Sequence, residues 1–234
     1  MIVSINQPAY LPWLGYISRI EKSDLHIVLD HVQFEKNSFT NRNKIRTKEN
    51  WCWLTVPVQT KGKFGELPIN HLGIAGEKNW SRKHWQSISN SYSKARCFKD
   101  ISGFLEATYQ TEWALLHDIM KHMLGEYLSR FRIETPLVYS SQMKAEGAKD
   151  ELVLNLCLEA GATTYLSGPL GRNYLKEEKF RDAGIKVVYD DFRHPTYPQA
   201  YAGFEAGMAC LDLLANCGEE SRDILMKDQP GVLS

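Results

Sequence analysis

Residues 2–30 read IVSINQPAYLPWLGYISRIEKSDLHIVLD, and this stretch decides the fold. Alternating apolar residues at its start predict a short strand over Ile2–Asn6. Two prolines then forbid helix until about Gly15, after which Ile17 and Ile20 predict one or two amphipathic turns. The apolar run LHIVLD predicts a second strand. The chain therefore opens with a βαβ unit.

The loop after the first strand is the first candidate site. Open α/β sheets bind ligands beyond the carboxyl ends of their strands, and the segment QPAYLPW (7–13) begins at such an end. The alternative is a proline-braced loop whose aromatic rings cap the core. The candidate contacts of this loop, its helix and the end of the second strand are Gln7, Tyr10, Trp13, Tyr16 and Asp30.

The middle of the chain predicts a hairpin followed by helices. NKIRT and WCWLTVPV are rich in β-forming residues, and the turn-like KEN between them predicts an antiparallel hairpin. A Gly/Lys loop, KGKFG, precedes a predicted strand over 69–74. Apolar residues at gaps of three and four predict a helix over 80–92 and a single long helix over 105–131.

The last third repeats the α/β pattern. A helix over 148–160 before the strand TTYLS, and a helix over 176–183 before the strand IKVVYDDF, predict a second parallel crossover. A last helix is predicted over 204–215. The fold prediction is α/β: a mixed, mainly parallel Rossmann-like sheet with an inserted antiparallel hairpin and a helical segment. We expect one domain, 1–234, with a helical insertion at about 78–135.

The composition of the 234 residues is that of a globular protein, with 43% hydrophobic and 24% charged residues. Twenty-eight Lys and Arg balance 28 Asp and Glu, so no global positive field favours general nucleic-acid binding. No stretch approaches the roughly 18 to 20 apolar residues of a membrane helix. Mean hydropathy is −0.37, and no secretory signal opens the chain. We predict a cytoplasmic protein without membrane insertion.

Motifs for metal binding are missing from the sequence. The five cysteines are scattered, without a CxxC pair or zinc-type spacing. Neither HExxH nor GxSxG occurs, which disfavours metal and hydrolytic chemistry. We therefore predict no metal and no cofactor.

Two further candidate sites carry positive charge. In NRNKIR (41–46), Arg42, Lys44 and Arg46 alternate, so on a strand they share a face that could hold a phosphate; a solvated surface is the alternative. In SGPLGRNYL (167–175), two glycines allow close backbone approach to a ligand and one arginine could clamp an anion; a tight turn is the alternative. We expect both segments and the QPAYLPW loop to converge on one cleft.

Among the histidines, one is a candidate for catalysis. His194 follows a predicted strand beside Asp190, Asp191 and Arg193, which suits a general base or a substrate contact. The other histidines considered, His84 on an aromatic helix and His26 in mid-strand, are typical of structural positions.

Several motifs together resemble the WbqC-like family. They are INQPAYLPWLGYISRIEKSD, LDHVQFEKNSFTNRNKIRT, LTVPV, YLSGPLGRNYL, a His-Pro-x-Tyr-x-Gln stretch and a late Asn-x-Gly, in the same order over nearly the whole chain. Met208 and Ala209 stand where a Leu-Ser-like pair is expected. The family motif falls on Gln7, Pro8, Tyr10, Pro12, Trp13, Gly15, Asp30, Asn41, Arg42, Ser167, Gly168, Gly171, Tyr174, His194, Tyr197 and Gln199.

The resemblance implies a function in bacterial surface polysaccharide synthesis. Members are associated with O-antigen (lipopolysaccharide) loci whose glycans contain an amino sugar acylated on nitrogen by an amino acid such as glycine. The implied activity is a transferase that attaches an aminoacyl or acyl group to the amine of a nucleotide-linked amino sugar. The implied partners are that sugar nucleotide and an activated amino-acid or acyl donor.

Roles for single residues follow from that implied reaction. Arg42, Lys44 and Arg172 would neutralise the pyrophosphate. Tyr10, Trp13 and Tyr174 would supply ring surface, and His194 or Asp30 would take the proton of the attacking ammonium. The loop after strand one has no HxGH-type signature, which favours an already activated donor over ATP use. The alternatives are a non-catalytic sugar-nucleotide or glycan-assembly binding protein and an ATP-using amide ligase.

Overall fold

The computed structural model describes residues 1–60, 65, 67–76 and 79–232. Within this part of the chain, one sheet has five strands in the spatial order β5-β2-β1-β6-β7, and all neighbouring strands are parallel. These strands are β1 Ile2–Asn6, β2 Leu25–Val28, β5 Leu137–Tyr139, β6 Thr164–Ser167 and β7 Lys186–Tyr189.

The order of these strands is that of a Rossmann sheet. Counted along the chain within this sheet alone, the strands lie in the order third, second, first, fourth, fifth. Strands are added on one side of β1 until β5, and then on its other side beginning with β6. The sheet therefore has a switch point between β1 and β6. The predicted α/β class with a mainly parallel, Rossmann-like sheet is confirmed.

Eight α-helices lie in the described residues. Three of them, α2 to α4, come between β2 and β5 in the chain, and none of the described helices is long and apolar enough to cross a membrane. The helices are α1 Leu14–Glu21, α2 Trp80–Tyr92, α3 Phe98–Gln110, α4 Leu116–Arg130, α5 Lys149–Glu159, α6 Glu177–Asp182, α7 Cys210–Cys217 and α8 Ser221–Met226.

The predicted antiparallel hairpin forms a two-stranded sheet of its own, β3 Arg42–Arg46 and β4 Trp51–Thr55. Side chains alternate between its two faces. Asn43, Ile45 and Leu54 are buried on the inner face, where the two apolar residues join the larger hydrophobic cluster. The outer face carries the partly buried or exposed side chains of Arg42, Lys44, Trp51, Trp53 and Thr55.

Three sequence-based element predictions differ from the structure. The helix predicted over 105–131 is divided into α3 and α4; the chain turns between them, and there Trp113 donates its indole N–H to the carbonyl of Thr108. Residues 69–74 form a short 3-10 helix, Ile69–His71, and isolated bridges instead of a strand. Helix α7 begins later than predicted. The predicted KGKFG loop lies, apart from Gly65, outside the described residues.

The two faces of the parallel sheet are covered by different clusters. Val3 and Ile5 of β1 pack with Leu156 of α5 and Phe180 of α6. On the opposite face, the larger cluster joins α1, the helices α2 to α4, the hairpin and α7. The carboxyl edge of the sheet is left between these layers, and the connecting loops meet there.

Candidate functional site

A crevice of about 510 Å³ lies at the carboxyl ends of β1 and β6, at the switch point of the sheet. This is where open α/β sheets bind their ligands. Its lining residues come from the ends of the strands, the loop after β1, the segment 35–40, α5 and the 3-10 helix after β6. They are Ile5, Asn6, Gln7, Pro8, Ala9, Trp13, Leu29, Glu35, Ser38, Phe39, Thr40, Val153, Tyr165, Leu170, Asn173 and Tyr174.

Backbone hydrogen bonds hold the crevice loops together. The N–H of Tyr10 donates to the carbonyls of Phe39 and Thr40, both at 3.2 Å, so the loop after β1 is joined to the segment 35–40. The side-chain amide of Asn43 donates to the carbonyl of Leu11, which links the same loop to the hairpin. Of the three segments predicted to converge, QPAYLPW and SGPLGRNYL contribute lining residues, whereas NRNKIR contributes none and is joined to the crevice loop through Asn43.

Aromatic rings form the rim of the crevice. Trp13 and Phe39 are in contact, with ring centroids 5.2 Å apart. Tyr174 and Leu170 on the opposite side are 47% and 74% exposed, although they are large and apolar. Uncharged polar side chains, those of Asn6, Gln7, Ser38, Thr40 and Asn173, lie between these surfaces. The crevice thus offers ring faces and amides.

A buried arginine lies beneath the crevice. Arg19 is 4% exposed, and its Nη1 donates to Oδ1 of Asn6 at 2.6 Å. Its Nε lies 3.4 Å from Oδ2 of Asp190, whose other oxygen pairs with Lys22 at 2.8 Å. A Cβ on Gly168 would lie only 2.9 Å from the guanidinium, so a side chain there would displace it.

The positive charge of Arg19 acts on the phenol of Tyr174, which lines the crevice. Burial raises the pKa of Tyr174, while a hydrogen bond from Tyr165 and the charge of Arg19 act in the opposite direction. Burial also raises the pKa of Tyr165. Both phenols are therefore neutral donors near neutral pH.

The structure brings Gln7, Trp13 and Tyr174 to the crevice, but it places several predicted contact residues elsewhere. Tyr10 is fully buried, with its hydroxyl 2.8 Å from Nδ1 of His84 and 2.5 Å from the hydroxyl of Tyr109. The phenol of Tyr10 is thus engaged inside the core, and a substrate contact by this residue stays a prediction.

Two further predicted contacts, Tyr197 and Gln199, serve a buried carboxylate. Oδ2 of Asp212 accepts from the hydroxyl of Tyr197 and from the amide of Gln199, both at 2.8 Å, while Oδ1 accepts from Tyr92 at 2.9 Å. Burial raises the pKa of Asp212 against the effect of these donors. This cluster joins α7 to α2 and to the loop after β7, so the structure gives its members a packing role, and their substrate-binding role stays a prediction.

Asn41 and Arg46 are also internal. Asn41 donates its side-chain amide to the carbonyl of Val56 at 2.9 Å and is buried. Arg46 is 4% exposed and donates to the carbonyls of Thr47, Asn50 and Ala202. Only Arg42 and Lys44 of the predicted cationic ladder therefore keep their charge on the outer face of the hairpin.

The glycine-rich segment after β6 has a packing role in addition to its place beside the crevice. Ser167 is 1% exposed, and a Cβ on Gly171 would lie 2.1 Å from its hydroxyl oxygen. Arg172 stacks at 4.0 Å over the ring of Tyr189, outside the crevice lining. Ser167 therefore packs beneath the glycine turn, and Arg172 is exposed beside Tyr189; the substrate contact of the first and the anion clamp of the second stay predictions.

His194 has both ring nitrogens engaged by its own loop. Its Nδ1 donates to the carbonyl of Pro195 at 2.8 Å, and its Nε2 accepts from the N–H of Gly207 at 3.0 Å. The ring also packs against those of Phe192 and Phe204. A general base needs a free nitrogen directed at substrate, and in this structure both nitrogens are engaged by the loop; the catalytic role of His194 stays a prediction.

Asp30 occupies a separate cluster beyond β2. Ser140 and the N–H of Ser141 donate to its Oδ1, at 3.0 and 2.8 Å. The hydroxyl of Ser141 donates to Oδ2 at 2.7 Å, and Nε2 of His117 lies 3.2 Å from the same oxygen. Burial acts to raise the pKa of Asp30, but His117 and the two serines outweigh it and lower the pKa to about 2. A carboxylate with this many donors is a weak proton acceptor, and the role of Asp30 as a base stays a prediction.

Sequence reasoning missed Glu35, Phe39, Arg19 and His117. Glu35 and Phe39 lie in the motif LDHVQFEKNSFTNRNKIRT, and their proximity in sequence to the NRNKIR segment was an available signal. Arg19 and His117 gave none, because Asp190 and Asp30, their partners, are far away in sequence. Within the described ranges, no group of three or more His, Cys, Asp and Glu could hold a metal ion.

The sheet order and the position of the crevice define a Rossmann-like α/β protein with a crevice at its switch point. The WbqC-like family model matches residues 7–224, so the chain belongs to the WbqC-like protein family. It is 36% identical over 225 residues to the uncharacterized protein Rv1507c of Mycobacterium tuberculosis, which covers 95% of this chain and 96% of that protein. No solved structure matches the chain.

Proposed function

We propose that the protein transfers an acyl or aminoacyl group to the amine of a nucleotide-linked amino sugar bound in the crevice. The observation that carries this proposal is the combination of ring surfaces and amide side chains at the switch point of a Rossmann sheet. Ligand pockets of this kind pair apolar surface with a few polar groups that fix orientation. A sugar ring offers both an apolar face and hydroxyl groups.

The transfer needs a proton acceptor near the amine. The base takes a proton from the sugar ammonium, and the free amine nitrogen attacks the activated carbonyl carbon to form the N–C bond. The bond from that carbon to the leaving group breaks, and the leaving group departs with the electron pair and a second proton from the nitrogen. Glu35 is the carboxylate among the described lining residues. We assign the base to Glu35 in place of His194 and Asp30.

A second candidate function is binding of the sugar nucleotide without chemistry. It is favoured by the scarcity of titratable groups, since the described lining residues offer Glu35 and the phenols of Tyr165 and Tyr174. Burial raises the pKa of both phenols, so neither is a base at neutral pH.

Mass spectrometry distinguishes the two candidates. The protein is incubated with UDP- and dTDP-linked amino sugars and activated acyl or aminoacyl donors, and a mass gain of the sugar nucleotide is sought. Glu35→Gln is expected to lower turnover by roughly a hundred- to ten-thousandfold while retaining binding. Glu106→Gln, an exposed change on α3, is the matched control.

Each outcome of that experiment decides between the proposals. Binding without mass gain for every donor supports the second candidate. Full turnover by Glu35→Gln contradicts the assignment of the base. If the sugar nucleotide neither binds nor gains mass, both functions are contradicted.

A further inference from the structure

Large apolar side chains are exposed in one region of the molecule. Seven are exposed among the described residues, and five of these surround the crevice or the adjoining hairpin. Exposed apolar surface that is contiguous and bordered by polar groups marks interaction sites. The five residues are Phe39, Trp51, Trp53, Leu170 and Tyr174, exposed by 43%, 38%, 39%, 74% and 47%.

Three of these side chains belong to what we call the hairpin face, formed by Phe39, Arg42, Lys44, Trp51 and Trp53. Strand alternation places the two cations and the two tryptophans on the outer side of β3 and β4, since the residues between them are mostly directed inward. Lys44 is directly opposite Trp53 in the antiparallel register.

The two cations of the hairpin face lie over its rings. The guanidinium carbon of Arg42 is 4.5 Å from the ring centroid of Trp53, and Nζ of Lys44 is 4.7 Å from that of Trp51. Arg42 donates to the carbonyl of Asn37, and neither cation has a carboxylate partner in the described chain. Two positive charges are therefore held beside flat rings without an anion.

The hairpin face continues into the crevice. Ring centroids lie 5.2 Å apart between Trp13 and Phe39, 6.1 Å between Phe39 and Trp53, and 6.0 Å between Trp53 and Trp51. Aromatic surface thus runs without a break from the crevice lining to the cations. A ligand in the crevice that extends outward would meet rings first and positive charge beside them.

We propose that the hairpin face binds the nucleoside diphosphate part of the sugar nucleotide whose sugar lies in the crevice. This inference rests on the proposed function and names the half of its substrate that the crevice leaves unassigned. Bases stack on tryptophan and on guanidinium planes, and arginine binds phosphate through paired N–H groups. Because the whole chain carries no net charge, this local pair of cations has to supply the attraction for the diphosphate.

The test measures binding of UDP, dTDP, GDP and ADP to the full chain by calorimetry, with tryptophan fluorescence as a second signal. Loss of a stacking ring in Trp53→Ala is expected to weaken the best-bound diphosphate about 5- to 150-fold. Arg42→Ala should weaken the diphosphate but not the corresponding nucleoside. Trp53→Phe keeps a ring and should retain most of the affinity, and Arg181→Ala on α6 is the control for charge.

An amino-sugar 1-phosphate probes the crevice independently. Its binding should depend on Tyr174 and not on Trp53. Diphosphate affinity that is equal in wild type, Trp53→Ala and Arg42→Ala overturns the inference, and the proposed function stands if the amino-sugar 1-phosphate still binds. Loss of both probes contradicts both proposals. Trp53-dependent sedimentation with phosphatidylglycerol vesicles, without diphosphate binding, would instead identify a membrane contact and overturn the inference.

Discussion

Close packing around the crevice restricts which side chains single positions can accept. Gly168 has ordinary backbone angles, so its requirement for glycine is steric: the guanidinium of Arg19 occupies the space of a side chain. Arg19 cannot move freely, because it is buried and lies between Asn6 and Asp190. The glycine and the arginine therefore form one unit beneath the crevice.

Gly168→Ala is expected to lower the free energy of unfolding by roughly 1–3 kcal/mol, the usual cost of overpacking. Chemical denaturation measures this change. Gly103→Ala in α3 is the control, because no atom lies within 4 Å of its added Cβ and alanine favours helix. The control should be stabilised by about 0.5–1 kcal/mol. Equal stability of Gly168→Ala and wild type would contradict the close approach of Arg19.

His194 offers a second prediction at this scale. His194→Ala should lower the free energy of unfolding by roughly 1–3 kcal/mol, because the carbonyl of Pro195 and the N–H of Gly207 lose their partner. Affinity for the sugar nucleotide should stay within about twofold of wild type if His194 only closes its loop. A variant with unchanged stability and abolished turnover would restore His194 as the candidate base.

At the scale of elements, the Asp30 cluster connects two strands and a helix. Asp30 follows β2, Ser140 and Ser141 follow β5, and His117 lies in the first turn of α4. One carboxylate therefore fastens two neighbouring strands and a helix of the segment between them. This connection gives the buried carboxylate of Asp30 a structural role without a chemical one.

The Asp30 cluster predicts that the free energy of unfolding depends on pH. The pKa of Asp30 is about 2 in the folded protein, below an unfolded value of about 3.9. Its stabilisation, roughly 2 kcal/mol, is therefore complete above about pH 4 and is lost as the pH falls through 2. Asp30→Asn should be less stable than wild type at pH 7, and urea unfolding should show the difference shrinking towards pH 2. Asp182→Asn, at an exposed site on α6, should change stability by less than about 0.5 kcal/mol.

Elements with a strong local pattern could be predicted from the sequence, and tertiary partners could not. The βαβ unit and the hairpin were predictable because proline positions and apolar runs act over a few residues. A single helix was predicted over 105–131 because the apolar spacing continues through Trp113. The spacing does not reveal that the indole of Trp113 donates to the carbonyl of Thr108 where the chain turns between α3 and α4. Arg46 alternates correctly with Arg42 and Lys44, yet its carbonyl partners lie in two loops.

The same limit applies to the candidate site. Gln7, Trp13 and Tyr174 were predictable because they lie beside strand ends, where parallel sheets bind ligands. His194 and Asp30 have the right chemistry for a base, but chemistry alone does not reveal which nitrogen or oxygen is already occupied. Only the folded chain shows that backbone groups and serines satisfy them.

At the scale of the whole molecule, two apolar layers enclose the sheet, and the smaller layer supports the crevice. Leu156 of α5 is fully buried against β1, and Val153 of the same helix lines the crevice. Leu156→Ala is expected to lower the free energy of unfolding by about 2–5 kcal/mol through the cavity it leaves. Leu158→Ala, 48% exposed on the same helix, should cost far less. Thermal unfolding of the pair measures the difference, and equal melting temperatures would contradict the packing of α5.

The switch point also has a consequence for biosynthesis. The central strand β1 pairs on one side with β2, about twenty residues later, but on the other side Ile2 pairs with Thr164. At 5–20 residues per second, a ribosome needs roughly 8–30 s to make the chain between these partners. Throughout that interval one edge of β1 presents unpaired N–H and carbonyl groups beside Val3 and Ile5, the kind of edge that recruits other strands. We expect the nascent chain to depend on chaperones until β6 emerges, and a ribosome-bound fragment ending before residue 160 to aggregate on release.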